Sequence, residues 1–477
     1  MSLSRNGRGI LRLMQKNEII RVRITDVNNL GCGVGRLENA GAQTGLTVFV
    51  RGGVTGDELE ASVIKVTKSY LVARPTRILK ASEHRVARDL CAAAMSCGGC
   101  AYRNLSYAHE LELKRGYVQN AFRKAGLPNV TVEPVQSTGD IMGYRNKAQY
   151  PVGRSKEGKT VAGFYANSSH RIVETDGCAL QPPVFGEIVA FLCEFCDRHG
   201  ISVYNEETGR GLMRHVYLRI GAKTGEIMVC PVVNGKGLPD EEDLVRELTA
   251  RFPQVASILL NQNTEATNVV LGDTYRLLWG KGYIEDELCG LRFRIPPEAF
   301  YQVNHDACEL LYGLARERAA LTGKELLLDL YCGIGSIGLS MADRAGEVLG
   351  MEIVEGAAKQ GDENAKRNGI TNASFFCGDA SDPQGLLKRA AEARGDLSEA
   401  VVILDPPRKG TTAELIEGLA AHRVPRVVYV SCNPDTLARD CVIFEKCGYE
   451  IGSVTPVDLF PRTGHVESLV CLTRQTN

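Results

Sequence analysis

The run VVYVSCNPDTLARD, residues 427–440, opens with β-favouring residues and breaks at Cys432, wedged between Ser431 and Asn433. A thiol where a strand runs into a turn is a candidate nucleophile, because the thiolate is the reactive form and a strand end exposes it. Further on, VDLFPRTGHVESLVCL places Glu467 inside an apolar run, where an ionised side chain is costly unless it is paired or functional. One thiol and one carboxylate suit methylation of a pyrimidine. Carbon 5 of uracil is a poor nucleophile, but addition of a thiolate to carbon 6 converts the ring to an enolate that attacks a methyl sulfonium. A base then removes the carbon 5 proton and the thiolate leaves. Cys432 is the candidate nucleophile, Glu467 the candidate base, and Arg408 the candidate cation favouring the thiolate. The plain alternatives are a core cysteine and a paired structural carboxylate. His465 reads as a hydrogen-bonding support.

Such chemistry needs a methyl donor. After LLLDLY and Cys332, Gly333, Gly335 and Gly338 spell G-x-G-x-x-G, and Glu352 ends the next strand-like run. Glycines there let backbone approach a ligand, and a strand-end carboxylate takes both ribose hydroxyls. That pattern fits a dinucleotide as well as S-adenosylmethionine. VILDPPRKG favours the second, since Asp405 and two stiff prolines at a strand end form a platform that nicotinamide chemistry does not call for.

Cysteines are also clustered. Cys91, Cys97 and Cys100 give C-x5-C-x2-C, a spacing able to hold one corner of an iron-sulfur cluster or a zinc ion. Cys178, in the loop-like ETDGCALQPP, is the candidate fourth ligand. Cys193-x-x-Cys196 is a rival pair, but its helical surroundings read as a buried face.

The elements that must position these groups follow from length and periodicity. At 477 residues, with 44% hydrophobic and 24% charged residues and a formal net charge of -1, the chain has room for several cores and names no partner by overall charge. Residues 1–80 nevertheless hold 13 Lys+Arg against 6 Asp+Glu, an excess that a polyanion can use. The N-terminus lacks an apolar signal core and no uncharged apolar stretch of about 18 residues occurs. A cytoplasmic protein without membrane contact is expected, its 16 cysteines kept reduced.

After an N-terminal tail (1–15), short strands with Gly-rich turns predict an OB-like barrel over 16–78, with Arg21, Arg23, Arg36, Arg51, Lys65 and Lys68 as a basic face. Residues 79–285 read as an α+β domain carrying the cysteines. Its strand-like runs include TNVVLGD, its helices lie near 184–199 and 239–251, and a helix over 105–126 is free to pack on the catalytic domain. From 286 to 477, strands and helices alternate, including a helix over 383–394, which predicts a doubly wound parallel sheet with ligands at the carboxyl ends of its strands.

DPPRKG, VVYVSCNPDT and VDLFPRTGHVE together resemble the signatures of the RNA uracil-5 methyltransferases, which form 5-methyluridine. The resemblance runs over nearly the full chain. It implies a TRAM domain at 16–78 and, from the cysteine arrangement, a member with a [4Fe-4S] cluster on Cys91, Cys97, Cys100 and Cys178, the type acting mostly on 23S ribosomal RNA. By motif, it implies Cys432 as nucleophile and Glu467 as base, with Gln302 in AFYQVN, Tyr331, Glu352 and Asp405 contacting S-adenosylmethionine. Arg462 departs from the family, where Gln or His is common, and weakens any guess at the uridine read.

A base must leave its stack to react. GYRNKAQYPVGR, residues 143–154, interleaves Tyr144, Arg145, Lys147, Tyr150 and Arg154, a mix suited to stacking and phosphate contact. The reading is therefore a 23S ribosomal RNA methyltransferase, expected to be a monomer. The same chemistry on a transfer RNA, a nicotinamide-dependent redox protein and a non-catalytic RNA-binding assembly factor are the alternatives.

Overall fold

The computed structural model describes residues 14–38, 44–86, 91, 93, 96–167, 169–175, 177–382, 385–394 and 397–475. Of the expected tail only Met14 and Gln15 fall among them. The chain divides into two compact units, one of residues 1–90, 100–114 and 462–464, the other of 91–99, 115–461 and 465–477.

In the first unit β1 (Ile19–Val27), β2 (Cys32–Arg36), β3 (Thr47–Arg51), β4 (Glu58–Val66) and β5 (Tyr70–Lys80) close into a barrel ordered β1-β2-β3-β5-β4. Strict alternation builds it: Ile20, Val22 and Ile24 point inward and are 4%, 4% and 1% exposed, while Arg21 and Arg23 point out. Thr67 separates β4 from β5, its hydroxyl accepting from the amides of Ser69 and Tyr70 at 3.4 and 2.9 Å. The helix expected over 105–126 is α1 (Tyr107–Lys124).

The second unit contains two seven-stranded sheets. In the first, β6 (Lys147–Arg154), β7 (Thr160–Tyr165), β8 (Ile172–Glu174), β9 (Met213–Ile220), β10 (Ile227–Val233), β11 (Val255–Gln262) and β12 (Thr274–Gly280) take the order β12-β11-β10-β9-β6-β7-β8. Helices α2 (Pro183–Arg198) and α3 (Glu241–Arg251) pack on it. TNVVLGD, residues 267–273, is not the strand its β-branched residues suggest. Asn263 Nδ2 donates to the carbonyls of Val269 and Val270 at 2.7 and 3.0 Å, and Asn261 Nδ2 to that of Gly272 at 2.7 Å. Side chains thus satisfy the carbonyls a ladder would have used, and β12 starts only at Thr274.

A hairpin, β13 (Ile284–Leu288) and β14 (Leu291–Ile295), and helix α4 (His305–Ala319) lead into the second sheet. That sheet is built from β15 (Leu326–Leu330), α5 (Ser336–Ser340), β16 (Glu347–Glu352), α6 (Glu355–Arg367), β17 (Ala373–Cys377), α7 (Leu386–Arg394), β18 (Ala400–Leu404), α8 (Ala413–Ala421), β19 (Arg426–Ser431), α9 (Pro434–Lys446), β20 (Tyr449–Val457) and β21 (Glu467–Arg474). Residues 383 and 384 of the helix expected over 383–394 lie outside the described residues. The order is β17-β16-β15-β18-β19-β21-β20. Leu327, Ile403 and Val428 fill the core on one face and Leu328, Val402 and Val427 on the other, with each of these six side chains 0% exposed. Burying one such side chain contributes about 1.5–3 kcal/mol. Val118, Ala121 and Phe122 of α1 join the second of these cores.

The sheet is parallel from β17 to β19, as expected, but β21 runs antiparallel between β19 and β20. The short segment 458–466 folds the chain straight back and so reverses the last strand. This reversal brings the first residue of β21, Glu467, to the edge where the parallel strands end.

Candidate active site

β19 and β21 pair Ser431 with Ser468, so Cys432, just past the end of β19, continues toward Glu467, the first residue of β21, whose charge acts on its thiol. The local sequence explains the turn after the thiol. Asn433 caps α9, its side chain accepting from the Asp435 amide at 3.2 Å, and Pro434 occupies the first helical position. One strand over, Leu404 pairs with Tyr429 and Asp405 follows at the same edge.

Three acidic groups therefore share one site. Cys432 is half-buried and its thiol is pushed up to about 11 by burial first, then by the charges of Glu467 and Asp405, with Arg408 opposing. Glu467 is 4% exposed, and burial, reinforced by Asp405 and opposed by Arg408, lifts its carboxyl to about 8. Asp405 keeps part of its surface exposed, yet the protein packed around it raises its carboxyl to about 7. Such neighbours cannot all ionise near neutrality without added positive charge.

The glycine loop lies beside them. Tyr331 takes a left-handed conformation at φ 67°, and its amide and that of Cys332 donate to the Met351 carbonyl at 3.0 and 3.1 Å. Glu352 accepts from the amides of Gly333 and Val354 at 3.1 and 3.0 Å, which fixes its carboxylate over the loop. Gly335 has φ 80°, and a Cβ there would stand 2.6 Å from the Phe375 ring. Gln302 is 8% exposed and its carbonyl accepts from Asn146 Nδ2 at 2.9 Å. Two residues on, Asn304 caps α4 and donates to the carbonyl of Leu459, just beyond β20, at 3.2 Å. Tyr331, Glu352, Asp405, Cys432 and Glu467 thus lie along one sheet edge, with the Gln302 segment reaching it through Asn304.

Of the cysteines, Cys178 is half-buried within electrostatic reach of Cys91 and Cys97, and burial raises its thiol. Amide donors face these sulfurs: Gly99 donates to Cys97 Sγ at 3.4 Å, and the Leu180 backbone bonds Cys178. Soft thiolates receiving amide hydrogen bonds are the donor set that an iron-sulfur cluster or zinc takes. Cys100 is half-buried and belongs to the first unit. The rival pair lies on α2, where burial lifts both thiols to about 12 and Cys196 is 1% exposed in the core.

Two expectations change. Tyr150 cannot stack on a base, because it is 1% exposed in the core with its hydroxyl donating to Gln181. Arg154 is paired with Asp197 at 2.6 Å, which leaves the half-buried Arg145 and Lys147 as the cations of that segment. Arg462, at φ 70°, donates its amide to Glu110 at 2.7 Å and its guanidinium to the Leu105 carbonyl at 2.8 Å. Glu110 also pairs with the fully buried Lys114 at 2.8 Å. The departure at 462 is thus a structural ion network rather than a reader of bases.

Residues 246–475 match the family model described as tRNA (Uracil-5-)-methyltransferase, and residues 14–76 match the TRAM domain. An RNA methyltransferase of Halalkalibacterium halodurans is 40% identical over 460 residues, covering 96% of this chain and 98% of that protein. The chain belongs to the RNA (uracil-5-)-methyltransferase family. Another member, an RNA methyltransferase of Caldanaerobacter subterraneus, is 40% identical over 458 residues, again covering 96% of this chain and 98% of the relative. Among solved structures, the Pyrococcus abyssi tRNA (uracil-54, C5)-methyltransferase in complex with S-adenosyl-L-homocysteine is 28% identical with a TM-score of 0.74, covering 95% of this chain and 100% of that one. Membership makes the protein an S-adenosylmethionine-dependent enzyme acting on RNA. Among the described residues, no helix is long and apolar enough to cross a membrane.

Sequence reasoning missed the parts that hold the site still. Asn433, noted in the sequence only as a neighbour of Cys432, is the N-cap of α9. Thr411, Tyr429 and Asp440 were not legible, because nothing in LARDCVIFEK marks Asp440 as buried among hydrogen bonds.

Proposed function

We propose that the protein methylates carbon 5 of a uridine in 23S ribosomal RNA, with Cys432 as nucleophile and Glu467 as base. The observation that carries the roles is the register that leads Cys432 toward Glu467 at the carboxyl edge of the sheet. Gln302, Tyr331, Glu352 and Asp405 hold S-adenosylmethionine, which supplies the electrophilic methyl and a positive charge favouring the anions around it. The Cys432 thiolate adds to carbon 6 of the flipped uracil, making carbon 5 nucleophilic toward that methyl. Carbon 5 takes the methyl as S-adenosylhomocysteine leaves, then Glu467, sheltered from water and of matched basicity, removes the carbon 5 proton and the Cys432 thiolate is expelled as the carbon 5–carbon 6 double bond reforms.

Cys91, Cys97, Cys100 and Cys178 hold a [4Fe-4S] cluster that serves the architecture, since methyl addition moves no net electron. Arg145 and Lys147, with the exposed basic residues of the barrel, contact phosphate. The barrel and the cysteine set support ribosomal RNA. A transfer RNA uridine is the second reading, favoured by the Pyrococcus abyssi enzyme, which shares architecture over most of the chain.

Tritium release from RNA labelled at uridine carbon 5 tests the proposal. Release from 23S ribosomal RNA that needs both S-adenosylmethionine and Cys432 is the expected result. Release from transfer RNA alone moves the assignment to the second reading, and release unaffected by Cys432→Ala removes the nucleophile.

A further inference from the structure

Asp440 lies in α9 with 0% exposure, and its carboxylate is held from three directions. Oδ2 accepts from the Thr411 amide at 3.0 Å and from the Tyr429 hydroxyl at 2.6 Å. Oδ1 accepts from Nε and Nη2 of Arg439 at 2.8 and 2.7 Å. The same Nη2 donates to the carbonyls of Lys409 and Thr411 at 2.9 and 3.3 Å. A buried carboxylate with this many charge-assisted bonds has one position available to it. The backbone packs close around it: Gly410 has φ 76°, and a Cβ there would stand 2.5 Å from Asp440 Oδ2 and 2.7 Å from Arg439 Nη2. Only glycine fits that approach.

The bonds continue on both sides. Asn433 Nδ2 and Thr436 Oγ1 donate to the Arg408 carbonyl at 3.0 and 3.3 Å. The Thr411 hydroxyl lies 3.1 Å from that of Tyr331. Three pieces are thereby joined: the end of β15 with Tyr331, the turn 405–410 with Asp405 and Arg408, and helix α9, which starts one residue after Asn433 and two after Cys432.

We infer that Asp440 is a positioning residue of the methyl-transfer site, clamping the turn 405–410 onto α9 so that the Arg408 guanidinium stays beside Cys432 and Glu467, and tying that turn through Thr411 to Tyr331. The inference rests on the roles proposed above for Cys432, Glu467 and Tyr331. Arg408 opposes the upward shifts of both the thiol and the Glu467 carboxyl, so loosening the turn moves both titrations to higher pH.

The test is the pH dependence of tritium release. Asp440→Asn keeps the size of the side chain and removes its charge. It should move the acid limb of kcat/KM alkaline by roughly half a unit or more and lower kcat roughly tenfold. Thr411→Val keeps the amide that Asp440 holds but loses the hydroxyl facing Tyr331. It should raise the KM for S-adenosylmethionine several-fold and leave the pH profile alone. An unshifted profile in Asp440→Asn overturns the clamp. If that variant does not fold, Tyr429→Phe, which removes one donor from Oδ2, decides by the same criterion. Cys432→Ala separates the two levels: retained release removes the underlying reading, whereas a dead Cys432→Ala beside an unshifted Asp440→Asn removes only the clamp.

Discussion

Glu467 is placed where an ordinary carboxylate would not stay charged at neutral pH. Burial lifts it from 4.5 to about 8, so the folded protein holds a proton between those values that the unfolded chain has released. Stability from this group is therefore full below 4.5 and is lost as pH rises through 8. Glu467→Gln removes that loss: its melting temperature should exceed that of the native protein by roughly 3 °C or more at about pH 9 and match it at about pH 4. Equal melting curves at the alkaline end would place the carboxylate in a site that solvates it. With Glu467 as the proposed base, activity has the opposite slope, because removing the carbon 5 proton would need the carboxylate, and the acid limb of kcat/KM should be centred near 8. Function and stability thus pull on this residue in opposite directions. In the sequence it was legible for that reason, a charge interrupting an apolar strand.

Elements decide which of these residues meet. The β-rich runs around Leu328, Ile403 and Val428 announced buried parallel strands, because β-favouring apolar residues on both faces have few other uses. Reversal of β21 was not legible, since hydrophobic alternation carries no direction, yet that reversal brings Glu467 to the edge toward which Cys432 continues. Displacement of β12 past TNVVLGD was hidden for a different reason: Asn261 and Asn263 lie in a neighbouring strand and in the loop after it, and their side chains take the carbonyls. The glycine loop was legible as a motif, and its geometry makes a prediction at this scale. Gly335→Ala meets the Phe375 ring and a positive φ, so it should cost about 1–3 kcal/mol in stability and raise the KM for S-adenosylmethionine more than it changes kcat. Denaturant melts and steady-state kinetics check both. A donor KM at the native value would mean that the loop does not approach the ligand.

Across the whole molecule, a nearly neutral chain carries its basic excess at one end, 13 Lys+Arg against 6 Asp+Glu over residues 1–80. Arg21, Arg23, Arg36 and Arg51 are exposed on the barrel because alternation sends every second residue of β1, β2 and β3 outward, Lys65 is exposed where the β4 register shifts, and Lys68 is exposed in the turn between β4 and β5. Arg23→Glu with Lys68→Glu should raise the KM for RNA several-fold, leave kcat near native, and flatten the salt dependence of binding by about one unit of slope for each phosphate no longer neutralised. Unchanged salt dependence would remove the barrel from RNA binding. The basic excess was visible in the sequence, whereas the withdrawal of Tyr150, Arg154 and Arg462 into core and ion pairs was not, because their partners come from distant segments. In the proposed reaction, residue, element and molecule meet in one covalent event between Cys432 and a uracil, completed by Glu467. The decisive experiment is to incubate Glu467→Gln with substrate RNA and S-adenosylmethionine and measure the mass of the Cys432 peptide after denaturation and nuclease digestion. The expected product is a peptide carrying 5-methyl-5,6-dihydrouridine on Cys432, absent when Cys432→Ala is combined with Glu467→Gln. An unmodified Cys432 peptide with RNA still bound, or an adduct on another cysteine, would contradict the assignment of nucleophile and base.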